Sequence, residues 1–189
     1  GIMLPVEALV TPSQGGGGKI HATGGLSDLA KESVTNISAV VKKLTGKDIQ
    51  DYDLHVQFPG THNVDGDSAS ITMATAIISA FEGVPIDQNL AMTGSLSVRG
   101  EVLPIGGVSA KIEAAVKSGI ERVIIPRSNL QDVLIDEKYE SMVEVLPVDS
   151  LDEVLQHALV GAEEKVSLVE RLANVIDTIS SGPDTQPSA

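Results

Sequence analysis

The chain has 189 residues, a length typical of one domain, and it contains no cysteine, no tryptophan, two phenylalanines and two tyrosines. This composition excludes disulfides, thiolate metal sites and a cysteine nucleophile, and it disfavours an aromatic platform for stacking bases. Acidic residues outnumber basic ones 26 to 13, for a net charge of −13, so nucleic acid, which needs a basic surface, is not an expected partner.

The first elements along the chain are two short apolar segments separated by glycines. Residues 6–10 and 19–22 favour strands, and the glycines at 15–18 favour a turn, so the pattern predicts a β-hairpin. The glycines before Lys19 do not form a phosphate-binding loop. That motif requires glycine where this chain has Ser13, and serine or threonine where it has Ile20. No nucleotide-binding motif is found elsewhere in the sequence.

The rest of the chain alternates helical and strand patterns, which predicts a single α/β (α+β) domain over residues 1–179. Apolar residues at three- and four-residue spacing predict helices over 28–44, 71–81, 110–117, 151–159 and 163–179. Period-two or continuous apolar runs predict strands over 53–58, 122–125 and 143–148, and a hairpin over 90–102 that turns at 99–100. Residues 180–189, rich in Ser, Pro and Gly, predict a disordered tail.

Ser68 lies where a polar loop, 59–67, enters the helix predicted over 71–81. The simpler interpretation is a helix cap, because a serine there accepts hydrogen bonds from backbone N–H groups that have no partner in the helix. The other interpretation is a nucleophile beside the positive helix end, whose N–H groups could stabilise an oxyanion. The local pattern leaves both interpretations open.

A nucleophilic serine needs a base, and the sequence offers histidines and one well-placed lysine. His55 and His62 are the histidines considered for this role, although neither has an evident orienting partner. Lys111 lies in the first turn of a predicted helix, where the helix dipole and apolar neighbours would both lower the pKa of its amine. The alternative for Lys111 is a surface ion pair with Glu101 or Glu113. No helix carries a His-x-x-x-His pair, so no metal site is expected.

Two stretches, taken together, resemble the proteolytic domain of Lon, the family of ATP-dependent serine proteases. They are residues 65–70 (DGDSAS) and 92–115 (MTGSLSVRGEVLPIGGVSAKIEAA). The likeness continues through 119–126 and covers about residues 5–160. Bacterial members usually have Pro and Gly where this chain has Asp67 and Ser70, so the sequence is more similar to the archaeal, membrane-anchored branch.

The resemblance implies roles for individual residues. Ser68 would be the nucleophile of a serine endopeptidase, Lys111 its general base, and Thr93 a residue that helps to orient the lysine. The implied fold is that of the Lon proteolytic domain, which is related to a ribosomal-protein-like fold, and this chain needs no cofactor or metal of its own. Asp67 could pair with Lys111 and hold it protonated. We take that pairing as a hypothesis for how activity is gated.

The resemblance also implies partners and a setting. An ATPase module in the same polypeptide would use ATP and Mg to unfold substrates, and six copies would form a ring that degrades unfolded or regulatory proteins for quality control. The expected location is the cytoplasm, including attachment to the cytoplasmic face of the membrane through a segment absent from this chain. Two alternatives are a non-catalytic Lon-like assembly or binding module, and a Ser–His hydrolase that uses His55 or His62.

Overall fold

The computed structural model describes residues 1–15, 17–46, 49–60, 64 and 66–181. Within these residues the strands are β1 (Glu7–Pro12), β2 (Ile20–Thr23), β3 (Tyr52–Gln57), β4 (Leu90–Met92), β5 (Ser95–Leu96), β6 (Val102–Leu103), β7 (Arg122–Pro126) and β8 (Glu144–Val148). The helices are α1 (Asp28–Thr45), α2 (Ser70–Glu82), α3 (Val108–Lys117), α4 (Glu137–Glu140), α5 (Leu151–Ala158) and α6 (Ala162–Ser181). Mixed helices and sheets confirm the predicted α/β class.

All five predicted helices are present, because each has the apolar spacing of a helix that is buried on one face or all round. Helix α1 begins after Ser27, whose hydroxyl accepts from the Ala30 amide, and it ends at Thr45, with Gly46 as its C-cap. Helix α6 continues through 181, into the segment predicted to be a tail, and the rest of that segment, 182–189, lies outside the described residues. Among the helices described, none is long and apolar enough to cross a bilayer.

The first sheet corrects the prediction of an N-terminal hairpin. Its strand order is β1-β3-β2, so β3 lies between the two strands that were expected to pair with each other. Strand β3 runs antiparallel to β1 and parallel to β2, and its Leu54 and Val56 are buried in the core. The sequence pattern that predicts a hairpin involves only neighbouring segments. The central strand of this sheet, β3, follows α1 in the sequence, so that local pattern could not indicate it.

The second region of sheet corrects the hairpin predicted over 90–102. Strand β4 belongs to a parallel sheet of order β4-β7-β8, and the antiparallel hairpin is limited to β5 and β6. The chain leaves β4 at Thr93, whose amide donates to the Ile124 carbonyl at 3.1 Å, and reaches β5 two residues later. Thr93 and Gly94 therefore lie between two sheets, at a point where backbone groups are available to another segment.

The core has two parts, separated by β7. The larger part contains α1, α2, α5 and α6 together with the inner faces of the sheets, and Ile124 of β7 points into it. The smaller part lies between α3 and the other face of β7, and it includes Ile112, Val123 and Ile125. Burial on both faces explains why β7 is a continuous apolar run rather than an alternating one. This packing fixes α3 against the sheet edge that carries Thr93.

The turn between β5 and β6 contacts the last helix. Gly100 has φ of 89°, and a Cβ at this position would lie 2.8 Å from the Cδ1 and Cγ1 atoms of Ile176 in α6. Ile176 is buried, one helical turn after the buried Leu172. The turn thus needs glycine both for its backbone conformation and for the approach of the helix.

We expect Gly100→Ala to destabilise the fold more than Gly83→Ala, the matched control. Gly83 ends α2 with φ of 66°, and an added Cβ there would meet no atom within 4 Å. The control should lose about 1–2 kcal/mol of unfolding free energy from the backbone conformation alone. Gly100→Ala should lose about 1–3 kcal/mol more, because the methyl group displaces Ile176. Equal losses in urea unfolding would contradict the proposed helix contact.

Candidate active site

Ser68 lies in the turn that leads into α2, and it is half-buried. The residue at the cap position is Ala69, and α2 has no side-chain cap; instead the Ser70 hydroxyl and amide both donate to the Asp67 carbonyl. The capping interpretation of Ser68 is therefore wrong. The turn is closed by Ser70, and this leaves the Ser68 hydroxyl available for another role.

The segment 93–95 fixes the turn that contains Ser68. The Gly94 amide donates to the Ser68 carbonyl at 2.8 Å, and the Thr93 hydroxyl donates to the same carbonyl at 3.2 Å. The Ser95 hydroxyl donates to Oδ2 of Asp67 at 2.5 Å. These three bonds join two segments that are more than 20 residues apart in sequence, and they set the position of the Ser68 backbone.

Lys111 reaches the same place from α3. It is the fourth residue of that helix, and its Nζ donates to Oγ1 of Thr93 at 3.2 Å. Thr93 is buried, so its hydroxyl connects the lysine amine on one side with the Ser68 carbonyl on the other. The structure thus brings together Ser68, Thr93 and Lys111, the three residues that the sequence placed in one site.

The start of α3 is held by Asn129, a residue that the sequence analysis did not identify. Its side-chain oxygen accepts from the Ile105 amide at 2.9 Å, and its side-chain nitrogen donates to the Ile105 carbonyl at 3.0 Å. Asn129 is 3% exposed and lies in the 3₁₀ turn Arg127–Asp132, which follows β7. A six-residue turn has no periodicity, so no sequence pattern pointed to this residue.

The environment of Lys111 makes its amine easier to deprotonate than that of an ordinary lysine. Desolvation by burial lowers the pKa of the amine below 10.5, while the negative charge of Asp67 acts in the opposite direction and does not cancel the shift. Asp67 and Lys111 are both described, and no ion pair joins them at contact distance; the Asp67 carboxylate is instead bound by Ser95. The expected pairing of Asp67 with Lys111 is therefore not what the structure shows. A neutral amine is what a general base requires.

Ser68, Thr93 and Lys111 line one cavity of about 310 Å³. Most of its other walls are apolar, and they come from the N-terminal segment, the residue that follows β3, the start of α2 and the parallel sheet. Representative wall residues are Leu4, Phe58, Ala69, Met92 and Val123. The cavity gives a substrate access to the serine and the lysine together, with walls suited to apolar side chains.

Of the two histidines considered as bases, the one that the structure describes, His55, does not form a site with Ser68. His55 lies in β3, and its ring stacks on that of His21 in β2 with centroids 4.6 Å apart. His55 is not among the residues that line the cavity. His62 lies outside the described residues. Across the part of the chain that is described, no group of three His, Asp or Glu side chains could bind a metal ion.

Comparison with known proteins identifies the family that the site belongs to. Residues 1–161 match the family described as the Lon protease (S16) C-terminal proteolytic domain. The Archaeal Lon protease of Thermoplasma acidophilum is 52% identical over 179 residues, which are 94% of this chain and 27% of that protein. The Archaeal Lon protease of Halobacterium salinarum is 56% identical over 178 residues, 93% of this chain and 25% of that protein.

A Lon protease without the archaeal description is less similar. The protein of Azorhizobium caulinodans is 36% identical over 179 residues, which are 90% of this chain and 21% of that protein. The resemblance found in the sequence is therefore confirmed, including its archaeal character. The chain spans about a quarter of the length of the curated relatives that it matches.

We expect Lys111→Met to stabilise the fold at neutral pH, because it removes an amine whose charged form is desolvated. The folded pKa lies below the unfolded value, so the unfolded state binds more protons and the stability of the wild type rises with pH between the two values. The gain in melting temperature from Lys111→Met should therefore be largest below the folded pKa and shrink as the pH approaches 10.5.

The matched control is Lys117→Met on the same helix. Its amine is exposed and pairs with Glu113 at 3.3 Å, so its replacement should not stabilise the protein at pH 7. Melting curves of both variants over a pH series measure the difference. The same pH-independent change for both would show that Lys111 carries no desolvation penalty.

Proposed function

Because the chain belongs to the Lon protease (S16) C-terminal proteolytic domain family, we propose that it is a serine endopeptidase with Ser68 as nucleophile and Lys111 as general base. The observation that carries the proposal is the bridge through Thr93, which links the lysine amine to the backbone of the serine in one cavity. The lowered pKa of Lys111 supports it, since an ordinary lysine is protonated at neutral pH.

The proposed reaction is acyl transfer to water in two steps. Neutral Lys111 takes the proton of the Ser68 hydroxyl as the oxygen attacks the carbonyl carbon of the peptide bond. Protonated Lys111 then donates to the amine nitrogen, the C–N bond breaks, and Ser68 carries the acyl group as an ester. Lys111 takes a proton from a water molecule as the water oxygen attacks the ester carbon. Protonated Lys111 then returns that proton to the Ser68 oxygen as the C–O bond breaks, and the new carboxylic acid leaves and loses its proton to solvent.

The tetrahedral intermediates carry a negative oxygen that needs hydrogen-bond donors. Ser68 precedes the first residue of α2 by two positions, so the positive end of that helix lies beside the reacting carbon. We assign the stabilising donors to backbone N–H groups at this turn. The apolar cavity walls suit an extended, unfolded chain, because unfolded polypeptides expose the apolar side chains that folded ones bury.

The partners of the domain are proposed from its family. We propose that an ATPase module in the same polypeptide, with ATP and Mg bound there, unfolds substrates and delivers them to this site in a hexameric ring. The chain's span of about a quarter of its relatives' length is compatible with such a module. The cytoplasmic location, and contact with the membrane through a segment outside this chain, stay predictions from the same resemblance.

Two other functions are less well supported. A Ser–His hydrolase based on His55 would need that ring near Ser68, whereas the ring stacks on His21 and is not part of the cavity wall. A non-catalytic Lon-like assembly or binding module would have no need for a half-buried lysine with a lowered pKa beside a serine. Peptide cleavage by Lys111→Ala tests the dyad against the Ser–His hydrolase, and reaction of the wild type with a serine-reactive probe tests it against the non-catalytic module.

We expect Ser68→Ala to reduce peptide cleavage to background, because the acyl-enzyme cannot form. Lys111→Ala should lower kcat/KM by about 10²–10⁴-fold, the usual contribution of a general base. Lys117→Ala, an exposed lysine on the same helix, serves as control and should cleave like the wild type. A fluorogenic unfolded peptide and a serine-reactive phosphonate probe are the measurements. Full cleavage by Lys111→Ala would exclude the dyad, and a wild type that neither cleaves nor reacts would favour the non-catalytic module.

We expect Thr93→Val to lower kcat/KM about tenfold, since it keeps the shape of the side chain but removes the hydrogen bonds to Lys111 Nζ and the Ser68 carbonyl. Thr93→Ser retains the hydroxyl and should recover most of the activity. Kinetics of both variants test the bridge, with melting temperatures to show that each is folded. Equal rates for Thr93→Val and the wild type would mean that the bridge does not contribute to the reaction.

A further inference from the structure

We propose that Ser95 is a positioning residue, whose hydroxyl holds the Asp67 carboxylate away from Lys111 and so leaves the lysine free to act as base. This inference rests on the proposed function of Lys111 and adds to it a residue that neither the family likeness nor the sequence patterns identified. Ser95 does not touch the reacting atoms; it acts through Asp67.

The geometry of Ser95 fixes where its hydroxyl points. Ser95 is 6% exposed and is the first residue of β5, where it pairs with Leu103 across the hairpin. One residue earlier, the Gly94 amide donates to the Ser68 carbonyl at 2.8 Å. The backbone on both sides of the hydroxyl is therefore held by hydrogen bonds. The resulting contact between Ser95 Oγ and Asp67 Oδ2, at 2.5 Å, comes from a rigid donor.

Asp67 needs such a partner because its charge acts on Lys111. It is the residue directly before the nucleophile, and its negative charge raises the pKa of the Lys111 amine against the effect of burial. The other groups around Lys111 do not replace it. Thr93 and Val123 are neutral, and Glu113 on the same helix pairs with Lys117. Among the residues that the structure describes, Asp67 is thus the acidic group whose pairing with Lys111 would hold the amine protonated.

Loss of the Ser95 hydroxyl would leave the half-buried carboxylate without its side-chain donor. A carboxylate in this position gains free energy by taking another donor, and the Lys111 amine is the cation whose charge it already interacts with. The new ion pair would favour the charged amine and remove the base from the reaction at neutral pH. Without the Ser95 hydroxyl, we therefore expect activity to begin at a higher pH and to be lower at pH 7.

The test is the pH profile of peptide cleavage by Ser95→Ala. We expect the rising limb of kcat/KM to move up by about 1 pH unit, with activity at pH 7 about tenfold lower and activity on the alkaline plateau preserved. Ser95→Thr, which keeps the hydroxyl, should retain the wild-type limb. Ser97→Ala is the matched control in the same hairpin, because the Ser97 hydroxyl bonds within the turn to Glu101. It should not move the limb.

The double variant Asp67→Asn/Ser95→Ala separates positioning from a structural role. Without the charge of Asp67, loss of the Ser95 hydroxyl should no longer shift the rising limb of kcat/KM to higher pH. The pH profile of the double variant should therefore match that of Asp67→Asn alone. Two results would overturn the proposal. One is a lower rate for Ser95→Ala with no shift in the pH at which kcat/KM rises, and the other is a shift to higher pH that persists in the double variant. Should Ser95→Ala not fold, Ser95→Cys, which has a weaker donor of similar size, gives the same comparison. Full activity of Lys111→Ala would instead refute the dyad itself.

Discussion

The site depends on the contact between the segment Thr93 to Ser95 and the turn that holds Ser68. Its hydrogen bonds, one from the Gly94 amide and two from side-chain hydroxyls, join a sheet junction to the start of a helix. The same threonine also accepts from Lys111, so a single buried residue contacts both the backbone of the proposed nucleophile and the amine of the proposed base. Displacement of either segment would therefore change both halves of the site at once, as is expected where reacting groups must be held closely.

Burial of Lys111 connects the stability of the domain with its chemistry. The apolar packing of α3 on β7 removes water from around the amine and lowers its pKa, which destabilises the fold but favours the role of base that we propose for Lys111. The helix keeps this unfavourable position because other contacts hold it. Asn129 binds the residue before its glycine-containing start, and Ile112 on the same helix is fully buried. Stability lost at the lysine is thus offset by packing and hydrogen bonds nearby.

Helices were predicted well and strand partners were not, for one physical reason. The apolar spacing of α1, α2 and α3 is a local property, and each helix buries the face that this spacing defines. Strand pairing depends on contacts between segments that are far apart in sequence. Strands β3 and β7 both come later in the sequence than their partners β1 and β4. The N-terminal prediction paired β1 with β2, whereas the later strand β3 lies between them. The hairpin predicted over 90–102 is present as β5 and β6, but β4 pairs instead with the later strand β7. A single strong turn signal cannot report such an insertion.

The residues of the site show the same division between local and distant information. Ser68 alone is consistent with a helix cap and Lys111 alone with a surface lysine, and the family resemblance, not the local pattern, joined them. What decides between the interpretations is tertiary: Ser70 closes the turn in place of Ser68, and α3 lies with its first turn against β7.

Ser95 could have been predicted from the sequence. One predicted strand contained both Thr93 and Ser95, residues two apart on a strand share a face, and Thr93 was already assigned to the site. The hydroxyls of Thr93 and Ser95 do contact the same turn, one at the carbonyl of the nucleophile and the other at the carboxylate beside it. The hydroxyls of one short segment thus hold the backbone of the proposed nucleophile and bind the carboxylate of the residue before it.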